Sequence, residues 1–325
     1  MKVLRIGDPH IKSSNIKESE ALMQFILRSA ESFAIDRLEI LGDLNDLHSI
    51  VRLEVLEFWQ KYFNILSKKS FKAVILVGNH DLTGSYTNNY SALHPFLSLE
   101  NTNFKIVHEP YLDGLYGYLP YIHDDNKFVE EANKLAEQGA TVLVSHPNFK
   151  GAVYDNGTPI NNGVSDDSLD NRFLHLIGGH IHTEIEIGRV WYTGNPRWLT
   201  KSDANKEKGI WLVTHNDKTG AIEEKQFIST RSVCTPIVSL VWKEGQAKPL
   251  IPENAKVDIE LHGSSDWVSK QKLDLKGVSI SSKLTDVKKS AIRKSGKSLH
   301  EFLSKHYQTD RREKLLKYME GLNLV

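Results

Sequence analysis

The sequence predicts a layered α/β fold in which helices cover the faces of β-sheets. In the first half of the chain, short apolar segments rich in β-forming residues alternate with segments of helical periodicity, a pattern typical of sheets flanked by helices. From about residue 173 the pattern changes mainly to strands separated by turns. With 325 residues, of which 40% are hydrophobic and 25% charged, the chain can hold more than one domain and has the composition of a soluble globular protein.

Four strands and three helices are predicted in the first half. The strands span residues 2–7, 37–41, 71–77 and 141–144. The helices span about 51–66, about 126–137, and an earlier segment whose apolar face consists of Leu22, Phe25, Ile26, Ser29 and Phe33. Since strands and helices alternate, the strands are expected to form a sheet on which the helices pack.

The sequence pattern of the second half divides the whole chain into three predicted domains. Strands are expected at 209–214, 221–227 and 232–242, and the segment 245–253, with two prolines, reads as a linker. A small α/β unit follows at about 255–284, and two amphipathic helices end the chain. The predicted domains are therefore residues 1–230, a small domain at 231–285 and a helix pair at 286–325.

Charge and cysteine content limit the protein classes that fit. The formal net charge is zero, but residues 286–325 hold ten Lys and Arg against five Asp and Glu, so that this tail carries +5 and the remainder −5. The single cysteine, Cys234, excludes an internal disulfide and a thiolate metal cluster. No signal peptide or membrane-spanning stretch is apparent, so we expect a cytoplasmic protein that does not enter a membrane.

Five short polar segments follow predicted strands and are the candidates for a functional site. They are Asp8-Pro9-His10, Gly42-Asp43-Leu44-Asn45-Asp46, Gly78-Asn79-His80-Asp81, Ser145-His146-Pro147 and Gly179-His180-Ile181-His182. Open α/β sheets bind their ligands at the carboxyl ends of strands, where these segments are expected to lie. Carboxylate, imidazole and amide groups without sulfur suit manganese, iron or zinc better than calcium. Two divalent ions that share a carboxylate can hold a phosphoryl group and activate water.

Each segment alone has an ordinary structural explanation. Asp-x-His occurs by chance, and Gly-Asp-x-x-Asp and Gly-Asn-His-Asp are also found in capped turns. The pair His180 and His182 could be two satisfied side chains of one strand. The order of all five segments, each at a strand end, is what indicates a common metal site.

The series resembles the signature of the calcineurin-like metallophosphoesterases, in the order found in that family. The resemblance implies a four-layer sandwich, in which helices flank two mixed sheets, and a pair of divalent ions, with Mn²⁺ expected and Mg²⁺, Fe²⁺ or Zn²⁺ as alternatives. It assigns Asp8, His10 and His182 to one ion, Asn79, His146 and His180 to the other, and Asp43 to both. It further implies that His80 faces the scissile phosphate and protonates the leaving oxygen or stabilises the charge, and that Asp81 orients His80.

Several features resemble one branch of this family, the SbcD-type DNA nucleases. The stretch Trp191-Tyr192-Thr193-Gly194-Asn195, followed by Asp203 and by Lys208-Gly209, is similar to the corresponding stretch of those enzymes, although Asn195 replaces their usual serine. The chain also continues for about 120 residues beyond the core, where the branch has a capping domain and helices that bind an ATPase. The compact chain is similar to phage-encoded relatives of SbcD. Asp46, His48, Gly194, Asn195 and Arg197 are the candidates for substrate contacts.

The resemblance implies a nuclease that acts as an exonuclease on duplex ends and an endonuclease on single strands, in replication, recombination or repair. The expected partners are DNA, an SbcC-like ATPase and a second copy of the chain. Whether the basic C-terminal helices bind the ATPase, bind DNA or pack on their own domain stays open. Two other functions remain possible: a small-molecule or cyclic-nucleotide phosphodiesterase or phosphatase, and a non-catalytic protein-binding scaffold.

Overall fold

The computed structural model describes residues 1–48, 50–83, 90–275 and 278–285 of the chain. Its compact units are Met1–Val238 with Pro252–Lys256, and Ser239–Ile251 with Val257 onward. The boundary suggested by the sequence, at residue 230, stays a prediction; the first stretch of the first unit ends at Val238. The predicted helix pair at 286–325 lies outside the described residues.

Fifteen strands and four α-helices make up the described part of the chain. The helices are α1 (Ile16–Ser32), α2 (Leu53–Leu66), α3 (Asp125–Glu137) and α4 (Ser265–Asp274). The strands are β1 (Lys2–Ile6), β2 (Arg37–Ile40), β3 (Lys72–Leu76), β4 (Phe104–Val107), β5 (Tyr111–Asp113), β6 (Tyr116–Leu119), β7 (Val142–Ser145), β8 (His175–Gly178), β9 (Ile185–Ile187), β10 (Val190–Tyr192), β11 (Gly209–His215), β12 (Ile222–Ser229), β13 (Ile237–Lys243), β14 (Lys256–Gly263) and β15 (Ser279–Leu284).

Two six-stranded mixed sheets form the first unit. The first sheet has the order β12-β11-β1-β2-β3-β4, in which β1 to β4 are parallel and β11 and β12 join in antiparallel fashion. The second has the order β5-β6-β7-β8-β10-β9, with β6, β7, β8 and β10 parallel. In each sheet the four parallel strands are consecutive neighbours, so their carboxyl ends lie along the same edge of the sheet.

Three apolar layers hold this unit together. One lies between the first sheet and helices α1 and α2, and includes Ile26, Trp59 and Phe63. A second lies between the second sheet and α3, and includes Phe128. The third is formed by side chains of both sheets facing each other, such as Val74. The order helix, sheet, sheet, helix is the predicted four-layer sandwich, which is therefore confirmed for this unit.

The two sheets also share a buried ionic network. Arg5 of β1 donates from Nε to Oε2 of Glu39 on β2 at 2.7 Å, and both side chains are fully buried. Tyr118 of β6 donates its hydroxyl to Oε1 of Glu39 at 2.6 Å, and Arg37 donates to the hydroxyl of Tyr118 at 2.6 Å. Glu39 thus compensates the charge of a buried arginine and links the first sheet to the second.

The second unit contains a small three-stranded sheet with the order β13-β14-β15, in which β14 and β15 are parallel and α4 connects them. Ser264 caps α4 by accepting a hydrogen bond from the backbone of Trp267.

The prediction that residues 232–242 form one strand was partly wrong. Val233 and Cys234 both donate their backbone N–H groups to the carbonyl of Thr230, so this stretch begins as a turn and the strand starts only at Ile237.

Strands β4, β5 and β6 were not anticipated because they are only three or four residues long, too short for their periodicity to stand out. In the described ranges no helix is both long and apolar enough to cross a bilayer.

Candidate metal centre

The fold brings the five polar segments together at the carboxyl edges of the two sheets. Asp8, Asp43 and Asn79 follow β1, β2 and β3 of the first sheet, and His146 and His180 follow β7 and β8 of the second. Because the sheets face each other, the loops from one sheet meet those from the other. Residues that are far apart in the sequence, each following a parallel strand, thereby become neighbours around one site.

The backbone is strained at three of the candidate ligands. His10, Asp43 and His180 have positive φ angles of 44°, 48° and 83°, which are uncommon for residues with a side chain. Such conformations cluster at functional sites, where the surrounding structure compensates their cost. The glycines allow close approach: a Cβ on Gly78 would collide with the backbone nitrogen and carboxylate of Asp43, and one on Gly42 would lie 2.5 Å from Nδ1 of His146.

Asp43 lies at the centre of the site. Its Oδ2 is 3.3 Å from Nε2 of His146 and 3.8 Å from Nε2 of His10. Its Oδ1 accepts a 2.8 Å hydrogen bond from the backbone N–H of His80. The ligand atoms of Asp43 fall within 4.8 Å of two sets of donors, one with His146 and His180 and one with His10 and His80. The bridging position predicted for Asp43 agrees with this placement.

Asn79, His146 and His180 form the first set of donors with Asp43. Oδ1 of Asn79 lies 3.1 Å from Nε2 of His146 and 2.8 Å from Nδ1 of His180. Nδ1 of His146 donates to the carbonyl of Leu41 at 2.6 Å. That bond fixes the ring and leaves Nε2 facing Asp43 and Asn79 as a metal ligand.

Asp8, His10 and His182 are the residues that the family resemblance assigns to the other ion. The Nε2 atoms of His10 and His182 are 3.0 Å apart. Oδ2 of Asp8 accepts a 2.7 Å hydrogen bond from the backbone N–H of His180, whereas its Oδ1 is buried, has no hydrogen-bond partner and lies 3.6 Å from Nδ1 of His146. A buried carboxylate oxygen without a hydrogen-bond partner is costly unless a cation or proton compensates it.

Burial and charge shift the pKa values of these groups in ways that favour a cation. Burial would raise the pKa of Asp43, but His146 and His10 hold it well below its usual range. Burial would lower the pKa of His146, but Asp43 and Asp8 raise it to about 9. Burial lowers the pKa of His180 to about 3. Asp43 therefore favours positive charge beside it, and burial favours the neutral form of His180, the form that binds metals.

The donor set consequently fits a pair of divalent cations. It combines carboxylate oxygens, one amide oxygen and imidazole nitrogens, which suits first-row divalent ions. Asp8 Oδ1 and the facing nitrogens of His10 and His182 are the atoms that most need such a partner.

His80 lies beside the donors with its ring held in one orientation. Its Nδ1 donates to the backbone carbonyl of Asp46 at 2.8 Å. Its ring stacks on His48, with centroids 4.0 Å apart, and meets the ring of His10 edge-on at 4.8 Å. Nδ1 is thus occupied, and Nε2 is the nitrogen that can exchange a proton with a substrate.

The role predicted for Asp81 was wrong in its partner. Its carboxylate does not bond the ring of His80 but accepts from the backbone N–H groups of Gly78, Leu44 and Asn45 and from the side chain of Asn45, at 2.8–3.2 Å. Burial and the nearby Asp43 raise the pKa of Asp81 to about 6. Asp81 therefore ties the loop after β2 to the loop after β3.

The candidate substrate residues divide into two groups. Asp46 and His48 lie beside His80: Asp46 contributes its carbonyl and binds Lys12 through its carboxylate at 3.2 Å, and Nδ1 of His48 lies 3.0 Å from the carbonyl of Asn79. These two residues are placed where a substrate could reach them.

Gly194, Asn195 and Arg197 are buried, which contradicts a direct substrate contact. The backbone N–H of Asn195 bonds the carbonyl of His182 at 3.2 Å, and a Cβ on Gly194 would lie 3.1 Å from the same carbonyl. Arg197 is fully buried and binds Ser19 and Glu18 of α1. These residues support the scaffold around the site. The sequence pattern indicated a turn, and a turn does not require exposed side chains.

The structure adds residues near the site that were not among the candidate site residues. Asp155 lies in the long connection between β7 and β8 and approaches His182, while Lys208 donates to the carbonyl of His182 at 2.6 Å and pairs with Asp203 at 2.5 Å. Asp203 and Lys208 belong to a stretch with a recognisable pattern. Asp155 has no motif around it, so the sequence carried no signal for it.

Comparison with known proteins agrees with this geometry. The profile described as "Calcineurin-like phosphoesterase" matches residues 1–184, more than half of the chain. The chain is 26% identical over 234 residues to "Exonuclease subunit 1" of Enterobacteria phage T4, covering 67% of this chain and 66% of that protein. It thus spans about two thirds of the length of that relative.

Two further similarities were found. The chain is 29% identical over 232 residues to "Putative phosphoesterase 244L" of Invertebrate iridescent virus 6, covering 66% of this chain and 77% of that protein. A solved structure, the E. coli phosphoesterase Yfce, is 17% identical and covers 70% of this chain and 98% of its own, with a TM-score of 0.30. On the profile match, which includes all five polar segments in full, the chain belongs to the calcineurin-like phosphoesterase family.

Proposed function

We propose that this protein is a DNA nuclease that hydrolyses phosphodiester bonds with two divalent cations, Mn²⁺ being the expected metal. The observation that carries the proposal is the pair of donor sets sharing Asp43, with His80 held beside them. Support for DNA as the substrate comes from the likeness to a phage protein named an exonuclease subunit.

The residues divide between holding cations and handling the substrate. Asp8, His10 and His182 would hold one cation, and Asn79, His146 and His180 the other, with Asp43 shared. The cations, when bound, polarise the phosphate oxygens and make water a better nucleophile. The buried position of the donors keeps bulk water out and strengthens these electrostatic interactions.

His80 acts on the leaving group in this proposal. The hydrogen bond from Nδ1 to the carbonyl of Asp46 keeps one proton on Nδ1, so that Nε2 is the nitrogen that takes up and releases a second proton. The stacked ring of His48 restricts rotation of His80. His80 can then donate a proton to the departing 3′-oxygen, or stabilise its developing charge, without rearrangement of the side chain.

Replacement of His80 tests the chemistry. We expect His80→Gln to lower the rate of DNA hydrolysis by about 10²–10⁴-fold, the usual contribution of a general acid, while Mn²⁺ binding persists. Assays with Mn²⁺ on linear duplex and on circular single-stranded DNA measure the two proposed activities, and Asp8→Ala should abolish both.

A matched control is His175→Gln. His175 lies at the amino end of β8, and the glutamine side-chain oxygen can still accept from the backbone N–H of Ile222 as the imidazole does. This variant should cleave DNA at the wild-type rate. Equal activity of wild type and His80→Gln would refute the proposed role of His80. Hydrolysis of a chromogenic phosphodiester with no cleavage of either DNA would instead support the small-molecule enzyme.

We further propose that the chain works as the nuclease subunit of a complex with an SbcC-like ATPase, and as a homodimer. The proposal is supported by the name of the phage T4 relative, which describes that protein as a subunit. It is also supported by the net charge of +5 in residues 286–325. Co-purification of the chain with the product of a neighbouring ATPase gene should yield a complex that is lost on removal of residues 286–325. Persistence of the complex without that segment would exclude it as the binding element.

The non-catalytic scaffold is disfavoured by the full set of donors around Asp43. A scaffold needs no strained ligands, yet His10, Asp43 and His180 all adopt positive φ angles. Elemental analysis distinguishes the two, since a scaffold is expected to purify without stoichiometric metal.

A further inference from the structure

Asp155 approaches the ring of His182 from the side opposite His10. Oδ2 of Asp155 lies 3.4 Å from Nδ1 of His182, whereas Nε2 of the same ring lies 3.0 Å from Nε2 of His10. The two nitrogens of His182 therefore have different surroundings: Nε2 faces the candidate metal ligands, and Nδ1 faces a carboxylate.

The position of Asp155 is fixed by the segments next to His182. Its Oδ1 accepts a hydrogen bond from the hydroxyl of Thr183 at 2.5 Å, and Lys206 donates to that hydroxyl at 2.8 Å. Lys206 also lies 3.4 Å from the carbonyl of Asp155 and 3.9 Å from its Oδ1. The carboxylate is only 18% exposed, so its interaction with His182 is partly shielded from solvent.

A tight hairpin turn delivers Asp155 to this place. The backbone of Tyr154 donates to the carbonyl of Thr158 at 2.9 Å, and Gly157 donates to the carbonyl of Tyr154 at 2.8 Å. Gly157 has a φ of 85°, which the turn requires. Asp155 is at the tip of this turn, in the connection between β7 and β8. It therefore comes from a different loop than His182, which follows β8.

The backbone of His182 is held independently of its ring. Its carbonyl accepts from Lys208 at 2.6 Å and from the backbone N–H of Asn195 at 3.2 Å. Lys208 in turn pairs with the buried Asp203. Since these contacts fix only the main chain, the rotation of the imidazole depends on the contacts of its ring, with His10 at Nε2 and Asp155 at Nδ1.

Asp155, Asp203 and Nδ1 of His182 are also close enough together to suggest a third cation site. We reject that interpretation because the ammonium group of Lys208 already lies 2.5 Å from Asp203, and Lys206 lies beside Asp155. Two lysines supply the positive charge that a metal would bring, and their repulsion would oppose a further cation.

We propose that Asp155 is a positioning residue that accepts the Nδ1 proton of His182 and thereby fixes Nε2 as the metal-binding nitrogen. His146 offers a precedent in the same site, because its Nδ1 donates to the carbonyl of Leu41 at 2.6 Å, a shorter contact than the 3.4 Å between Asp155 and His182. Such acceptors behind a ligating histidine orient the ring and raise its basicity, and their loss typically weakens metal binding by about 10–100-fold. The inference rests on the family-level assignment of His182 as a metal ligand and requires no particular substrate.

The test is the affinity of each of the two metal positions. Wild-type protein titrated with Mn²⁺ should bind two ions by calorimetry and show the exchange-coupled electron paramagnetic resonance signal of a paired site. Asp155→Ala should weaken one of the two binding steps by about 10–100-fold and replace the coupled signal with that of a single ion at limiting Mn²⁺. Asp155→Asn keeps an acceptor oxygen and should fall between wild type and Asp155→Ala.

Asp167→Asn, which changes an exposed carboxylate in the same long connection, is the matched control and should bind both ions as the wild type does. Thermal unfolding of the metal-free proteins checks that the Asp155 variants remain folded. Two wild-type binding steps in folded Asp155→Ala would overturn the inference. DNA cleavage is measured separately, so a wild type that binds two ions but cleaves no DNA would refute the nuclease proposal and leave the role of Asp155 intact.

Discussion

Asp43→Asn is expected to lower phosphodiester hydrolysis by at least about a thousandfold, the effect of losing several kcal/mol of charge stabilisation at the reacting phosphate. Asp43 is the residue within reach of both donor sets, and its Oδ1 also holds the backbone of His80. An amide cannot supply negative charge to two cations, so both positions and the placement of His80 should be affected. The rate with a chromogenic phosphodiester and Mn²⁺ gives the measurement.

The loss should not result from unfolding. Asp43 is buried beside His146, and because an imidazole, unlike the arginine beside Glu39, can release its proton, Asp43→Asn leaves no buried charge without a partner. Asp36→Asn is the matched control, because Asp36 lies before the amino end of β2 and an asparagine there can still accept from the backbone of Lys2. A folded Asp43→Asn protein that retains even a tenth of wild-type activity would contradict the shared-ligand geometry.

Glu39→Gln is expected to reduce the free energy of unfolding by about 3–5 kcal/mol, the cost of leaving a buried charge without its partner. Arg5 is fully buried, and its Nη1 and Nη2 atoms have no hydrogen-bond partner among the described residues, so Glu39 provides its compensation. Glu39 also accepts the hydroxyl proton of Tyr118 on the other sheet. Urea denaturation of the metal-free protein measures the change.

The double variant Arg5→Met with Glu39→Leu separates a lost pair from an uncompensated charge. Replacing both partners with apolar side chains removes the buried charge, so the double variant should be more stable than Glu39→Gln alone. Glu224→Gln, at an exposed position of β12, should leave stability within about 0.5 kcal/mol of wild type. If Glu39→Gln proved as harmless as Glu224→Gln, the network would not contribute to joining the sheets.

The sequence was most informative where a residue and its neighbours in the chain carry the signal together. Strands β1, β2, β3 and β7 and helices α1, α2 and α3 were predicted because runs of apolar residues keep one period over a whole element. The five polar segments were found because each is a compact string directly after a strand. The strands β4 to β6 escaped notice because they are too short for their periodicity to stand out, and the turn before β13 did so because it lies directly before a run of β-forming residues.

Residue roles that depend on contacts across the fold were decided only by the tertiary structure. The sequence placed Asp81 next to His80, but the fold turns its carboxylate toward backbone N–H groups of the neighbouring loop and gives His80 the carbonyl of Asp46. It suggested Arg197 for the substrate, whereas packing buries that side chain against α1. It gave no sign of Asp155, which reaches His182 only through the turn of a distant loop.

The sequence by itself determined the layered fold class, the candidate metal-ligand side chains and the family to which they point. Those properties follow from side-chain chemistry and from periodicity, both of which are local. The tertiary structure decided which groups orient the ligands, which polar residues are buried and how charge is compensated between the sheets. Hydrogen bonds and ion pairs act over a few ångströms in space, and only the folded chain sets which distant residues come within that distance.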